Sequence, residues 1–519
     1  MNVKSEMKIG ERTRPACRLG RLAQAFVRLT LRLFPGFCGR KFSTGHRKQH
    51  ASGVRSPGPT STSVFEMNTT FSQKILGVPA QNGSVLIIVM WVAFGLVSLA
   101  IYFANSMSFE LHAGENRVVA MQADEAIEAA AVYVSNVLAT AEQVGFLPDP
   151  QLFQSEAVEV GNSRFWLIGS NTNDSQNGPT EMTFGLVDES SKINLNSANA
   201  EVLQLLPNMT AELAGAIVDW ADADSTVSPG GAESETYSRL RPAYLCKNAP
   251  FETVDELRLV SGMNLKILFG EDANLNGILD ANENDSDALP PSDNRDGRLD
   301  AGLLNFVTVS SREPNTTTNG GTKINITLPN RQPLSSPLFS LLQTNFGTAR
   351  ATQIMGLVGP AATSPLDFFV RGKLSQEDFA KIADQLTRTN GAYVEGLINI
   401  NTASKAVLAC IPGIGLDKAS SVIAYRQSNP DKLATVAWLV ETIEPKNATL
   451  AGPYVTVHSY QFTADVAAVG ENGRGFRRVK FIFDTSDGTP KIIYRQDLTH
   501  LGWALGSQTR RQLLALQTR

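Results

Sequence analysis

GSVLIIVMWVAFGLVSLAIYFA, residues 83–104, is the run on which the reading of this chain turns. From Ser84 to Ala104 it carries no charge. At about 1.5 Å per residue it is as long as the roughly 30 Å hydrocarbon core of a bilayer is thick. Nothing else in the 519 residues is comparably apolar, so it reads as a single transmembrane helix over 84–104. Residues 1–83 hold 14 Lys and Arg against 3 Glu, a net of +11, so the chain total of −4 leaves −15 beyond them. A basic arm before a span fits the positive-inside tendency, with the N-terminus cytoplasmic and the large acidic region on the far side. The bias close to the span is slight, since Lys74 and Arg117 flank it at similar distances. Two readings of the basic leader stand. One is a transit peptide with a short amphipathic helix over 19–34; the other is an extension ahead of a true start at Met67.

Beyond Ala104 the helical period continues. Phe109, Leu111, Val118, Met121, Ile127, Ala130, Val134 and Leu138 recur at helical spacing, and Pro148 and Pro150 lie past the end. One helix from Ser84 to about Glu142 follows, greasy all round in its first half and one-sided in its second. RFWLIG (164–169) and MTFGLV (182–187) flank the Asn/Asp/Gly-rich 170–180 and predict a hairpin with a long loop. KINLNSA (192–198) then leads into a helix. LININTA (397–403) does the same, and KINIT (323–327) is a weaker third copy. Asn and Ser/Thr at these positions supply N-cap oxygens. Both strong copies continue as helix, turn, helix. The second turn, Pro412-Gly413-Ile414-Gly415, has the Gly pair of a helix-hairpin-helix; the first, Pro207-Asn208-Met209, lacks it. Further helical units follow at 251–262 and 433–443. The end reverts to strands over 454–469, 476–483 and 491–495, an antiparallel meander. The chain is therefore read as α+β. The long helix packs on an antiparallel sheet, and a large, mainly α-helical insertion with helix-hairpin-helix-like repeats interrupts it. The expected segments are 105–190 for the helix continuation and first strands, 191–450 for the insertion, 451–500 for the C-terminal sheet and 501–519 for a tail.

The chemistry concentrates in one loop, DANLNGILDANE (272–283). Asp272, Asn274, Asn276 and Asp280 place oxygens at positions 1, 3, 5 and 9 of a twelve-residue calcium loop. Gly277 falls at position 6, the Ile278 carbonyl at 7 and Glu283 at 12. Ca²⁺ takes six to eight hard oxygens, and this spacing wraps them round one point. A degenerate second loop follows with Asn294, Asp296 and Asp300, but Ser292 and Leu303 stand at positions 1 and 12. Asp222, Asp224 and Glu233, beside Asp219, form a third acidic patch; a helix end running into a solvated loop explains it equally well. Cys246 and Cys410 are either one bridge or two free buried thiols. The hairpin at Gly413 and Gly415 offers amides to a phosphate in principle. Its few basic neighbours, Lys405, Lys418 and Arg426, and the acidic surroundings argue against nucleic acid. No catalytic constellation is present in the sequence: there is no nucleophile elbow, HExxH, P-loop or CxxC.

These features together resemble the K-type minor pseudopilins of bacterial type II secretion systems (general secretion pathway protein K). The likeness runs over about 75–500. It is carried by 192–206 with Asp219-Trp220, PFETVDELRLVSGM (250–263), FVTVSSREPN (306–315) and 398–426. The resemblance implies a non-enzymatic assembly protein of the inner membrane, single-pass, with a periplasmic domain. A prepilin peptidase would cut between Gly83 and Ser84, and Ser84 would be N-methylated. The subunit would cap or initiate the pseudopilus tip, with the other minor pseudopilins, the major pseudopilin, and the secretin and secreted cargo as partners. Position 5 of the mature chain, usually Glu, is Ile88 here, which suits a subunit with nothing stacked above it. Calcium would stabilise the insertion. Two other readings are a competence-type, membrane-anchored DNA receptor and a calcium-dependent surface adhesin.

Overall fold

The structure is a computed structural model, and it describes residues 83–170, 182–284, 293–327 and 335–517. The 19–34 stretch, Met67 and Ser292 lie outside these residues. The long helix, α1, runs Gly83–Ala139, 57 residues. Its large apolar side chains from Val85 to Phe103 are exposed on every side, and by length and composition it can cross a membrane. From Val119 onward the pattern turns one-sided. Val119, Ala123, Ala126, Ile127, Ala130, Val134 and Leu138 are buried at i, i+3, i+4 spacing. The alanines in this row let the helix lie close to the sheet beneath it.

That sheet has six strands: β1 (Val158–Val160), β2 (Ser163–Ile168), β3 (Val187–Asp188), β4 (Gln461–Val469), β5 (Arg477–Asp484) and β6 (Lys491–Asp497). The order is β1-β2-β4-β5-β6, with β3 also paired to β4, and every pairing is antiparallel. Alternation sorts the side chains. Phe165, Leu167, Phe462, Ala464, Val466, Ala468, Val479, Phe481 and Phe483 face α1. Trp166, Ile168, Ala467 and Val469 face the other way, onto Ala504, Leu505 and Leu513. All of β4 is buried, so both faces of the sheet are covered.

Three expectations change. The 182–187 run forms the expected hairpin arm only over a short stretch, where Gly169 N–H meets the Thr183 carbonyl and Gly185 N–H the Leu167 carbonyl, both at 2.9 Å. Phe184 makes a single bridge to Ile168, and the chain then leaves to pair with β4 as β3. The helical insertion continues past 450, because Val455–Thr456 pairs inside it and the sheet resumes only at Gln461. Residues 501–519 are not a free tail, since Ala504 and Leu505 are buried on the sheet and a helix follows at Gly506–Gln517.

The insertion is organised by three parallel two-residue ladders. Ile193–Asn194 pairs with Val307–Thr308, Ile324–Asn325 with Leu386–Thr387, and Ile398–Asn399 with Val455–Thr456. A parallel pair needs a long crossover, and helices supply it in each repeat. The first Asn of each copy makes the same turn. Its Oδ1 accepts the N–H two residues on, at 2.9 Å in Asn194, Asn325 and Asn399 alike. The weak copy at 323–327 is thus a full structural repeat. The units at 251–262 and 433–443 are tighter than α-helices, forming 3₁₀ turns at Val254–Leu259 and Val436–Glu441. The second Asn of each strong copy clamps them. Asn196 exchanges bonds with the Phe251 backbone, and Asn401 bonds the Leu433 carbonyl and the Trp438 indole.

Candidate calcium centres and the helix-hairpin-helix

The 272–283 loop closes on itself as its spacing predicts. Asp272, wholly buried, accepts the N–H of Asn276 at 3.0 Å and of Gly277 at 2.9 Å. The Oδ1 atoms of Asn274 and Asn276 each accept the N–H two residues on, at 3.0 Å. Glu283 returns from position 12, with Oε1 on the Asn274 N–H at 3.2 Å and Oε2 on the Asp280 N–H at 3.0 Å. Gly277 has φ +76°, which position 6 of such a loop demands. Burial pushes the Asp272 carboxyl up to about 6. Burial, aided by Asp272 and Asp280, pushes Glu283 up to about 7. Carboxylates gathered in a dry site are costly unless a cation joins them, and the hard-oxygen donor set fits Ca²⁺.

The second loop repeats this geometry. Asn294 Oδ1 accepts the Asp296 N–H at 2.8 Å, and Asp296 Oδ1 accepts the Arg298 N–H at 2.7 Å. Asn294 Nδ2 donates to Asp300 at 2.9 Å, as Asn274 Nδ2 does to Asp280 at 2.9 Å. The carboxylate its sequence lacks at position 12 comes from elsewhere. Glu271, buried, accepts the N–H of Asn294 at 2.7 Å and of Asp300 at 3.0 Å. These are positions 3 and 9, the two that Glu283 holds in the first loop. Sequence reading missed Glu271 because it lies upstream of the loop it serves. Its adjacency to Asp272 was the one visible hint. A Gly270–Ala301 bridge ties the two loops, and a Cβ on Gly270 would sit 2.0 Å from the Asp300 carbonyl oxygen.

Asp222, Asp224 and Glu233 also come together, with carboxylate oxygens all within 4.8 Å of one another. Glu233 is only 4% exposed, which removes the solvated-loop reading for it. Both its oxygens, together with Asp222 Oδ1 and Asn248 Oδ1, are buried without a hydrogen-bond partner among the described residues. Burial raises the Glu233 carboxyl; burial and then Asp224 raise Asp222. Four orphaned oxygens of this kind suit a hard cation, and Asn248 is a donor the sequence did not flag. Asp219 is committed instead to the Ser228 N–H, at 3.2 Å to each oxygen.

The helix-hairpin-helix faces protein. Gly413 packs on the 445–451 helix, where an added Cβ would lie 2.2 Å from the Asn447 carbonyl oxygen. Arg426 is buried and donates to the carbonyls of Ile400 and Ala403, at 3.1 and 2.7 Å. Neither feature is presented to a phosphate. In the first repeat Asn208, φ +58°, takes the left-handed position that Gly413, φ +87°, takes in the third. Cys246 and Cys410 are both free and buried.

Residues 190–268 match the family described as type II secretion system (T2SS), protein K. The chain is similar to protein K of type II secretion systems. Over 58 residues it is 41% identical to the type II secretion system protein K of Klebsiella pneumoniae, covering 11% of this chain and 18% of that relative. Residues 395–443 match a helix-hairpin-helix motif. A GspK-GspI-GspJ complex from the type 2 secretion system of enterotoxigenic Escherichia coli aligns with a TM-score of 0.35 and 10% identity, over 75% of this chain and 98% of the solved one. The protein K segment holds the first ladder strand, the first hairpin and the Asp222/Asp224/Glu233 cluster. Both calcium-type loops lie beyond it.

Proposed function

We propose that this chain is a minor pseudopilin of a type II secretion system, set at the tip of the pseudopilus, which it caps or initiates, for protein export across the outer membrane. The observation that carries this reading is the protein K segment seated in a helical insertion on a long-helix-and-sheet platform. A bulky insertion suits an end position, since it leaves no room for a further subunit above it. Ile88 supports the same reading, as a Glu at that place would call for a neighbour's N-terminal amine. The partners are the other minor pseudopilins, the major pseudopilin and prepilin peptidase, with the secretin and cargo beyond them. The chain enters the inner membrane N-terminus inside, is cut between Gly83 and Ser84, and is methylated on Ser84. Its large domain is periplasmic and its role is assembly, with no catalysis.

Calcium is the proposed structural ion at the 272–283 loop, at the second loop completed by Glu271, and at Asp222, Asp224 and Glu233 with Asn248. The fit rests on donor chemistry: carboxylates and amide oxygens set close together, buried at Asp272, Asn274, Asn276, Glu283, Glu271 and Glu233 and exposed at Asn294, Asp296, Asp300 and Asp224. Co-expression with candidate minor pseudopilins and affinity capture on this chain tests the function. A stable complex that restores secretion to a strain lacking this subunit is expected; a chain that binds none of them and restores nothing refutes the proposal. Sequencing the N-terminus of the membrane-extracted protein should begin at Ser84.

A further inference from the structure

Arg478 on β5 is 0% exposed, an unusual place for a guanidinium. Two of its donors pair with Asp465 on the neighbouring β4: Nε to Oδ1 at 2.8 Å and Nη2 to Oδ2 at 2.5 Å. Its remaining reach leaves the sheet. Nη1 donates to the Asn274 carbonyl and Nη2 to the Leu275 carbonyl, the latter at 2.8 Å. Those carbonyls belong to positions 3 and 4 of the calcium-type loop. A second clamp comes from the segment covering the same sheet face. Asn274 Nδ2 donates to the Trp503 carbonyl at 3.3 Å, and Asn276 Nδ2 to the Ala504 carbonyl at 3.2 Å. Each Asn thus shares its amide nitrogen between Asp280 inside the loop, at 2.9 and 3.0 Å, and the covering segment, while its Oδ1 accepts a loop N–H.

We propose that the 272–283 site is composite: the inserted domain supplies the ligands and the pilin sheet supplies the clamp. Calcium binding and docking of the insertion on the sheet are then one linked equilibrium. The inference rests on the calcium reading of that loop and adds to it a positioning residue, Arg478, which itself touches no ion. A loop held from outside loses less freedom when it closes on a cation, so docking tightens binding. Linkage is reciprocal, so calcium tightens docking by the same factor. Calcium therefore adds to the buried contacts, such as Asn399 to Asp188, that already set the insertion on its platform.

Hydrogen exchange of the full chain in detergent micelles, followed by peptide during a CaCl₂ titration, tests this. In the native chain, exchange at 272–283, across β5 and at 503–505 should slow together with one calcium midpoint. Arg478→Lys keeps a countercharge for Asp465 but cannot also reach both loop carbonyls; it should raise the midpoint at 272–283 by about tenfold. Glu283→Gln leaves the Arg478–Asp465 pair intact and should abolish the calcium response at β5 and 503–505. Calcium protection confined to 272–283, or an unchanged midpoint in Arg478→Lys, overturns the composite site and leaves the calcium reading standing. No calcium response at 272–283 in the native chain removes both.

Discussion

At Gly413 the backbone has φ +87°, and the 445–451 helix lies so close that any Cβ meets the Asn447 carbonyl. Gly413→Ala combines left-handed strain with that clash and should cost about 2 kcal/mol or more, read as a lowered urea midpoint. Glu271 acts on a different quantity. Glu271→Gln should remove about one calcium from the titrated stoichiometry while the 272–283 loop still binds. Buried carboxylates set two opposite pH dependences. Glu189 and Glu313 are pushed up by burial, but nearby cations and hydrogen bonds outweigh it: Lys192, Lys480 and Thr308 for the first, and His458, Lys323 and Thr456 for the second. Both are held at about 2, against 4.5 when free. A depressed pKa contributes stability present above 4.5 and lost as pH falls through about 2, so acid unfolding should be steep in that window and shallower in Glu189→Gln. Asp272 and Glu283 run the other way, raised to about 6 and about 7. Their contribution is present below the free values and lost as pH rises through the folded ones. Thermal melts in chelator should therefore fall between pH 4.5 and about 7, and Glu283→Gln should flatten that slope.

At the scale of elements, the three Asn-led ladders share one turn and differ in burial. Asn399 is buried, donating from Nδ2 to Asp188 at 2.9 Å and to Ser459 at 2.8 Å. Asn399→Ala strips partners from buried groups and should cost about 2–3 kcal/mol. Asn325 stands in a half-buried ladder and bonds Asn390 near the surface, so Asn325→Ala should cost about 1 kcal/mol. Equal losses at the two sites would show that burial does not set the difference. The ladders also explain what a linear reading missed. Their return strands are two residues long, too short for any periodicity to declare, and only pairing defines them. The 182–187 run pairs with β2 as a short hairpin arm around Phe184, but β4 competes for the chain and takes Val187 and Asp188, which composition alone does not show.

For the whole molecule, removing calcium should lower the melting temperature. An ion present at a hundred times its Kd contributes about 2.7 kcal/mol per site that exists only in the folded chain. Unchanged melting in chelator, with no heat on calcium addition, would remove the ion from this protein. Local chemistry determined a good deal without any fold. The uncharged run at 84–104 declares a helix long and apolar enough to cross a membrane, where a helix satisfies its own backbone. The 272–283 loop declares its candidate ligands, because all of them come from one short contiguous stretch. What only tertiary structure decided is everything that joins distant residues. Glu271 completes a loop 23 residues downstream. Asn248 donates to the Asp224 carbonyl 24 residues back, and Arg478 reaches back 204 residues to Asn274. Such partners are chosen by which buried groups lack a counterpart once the core has closed, a condition that exists in space and has no period along the chain.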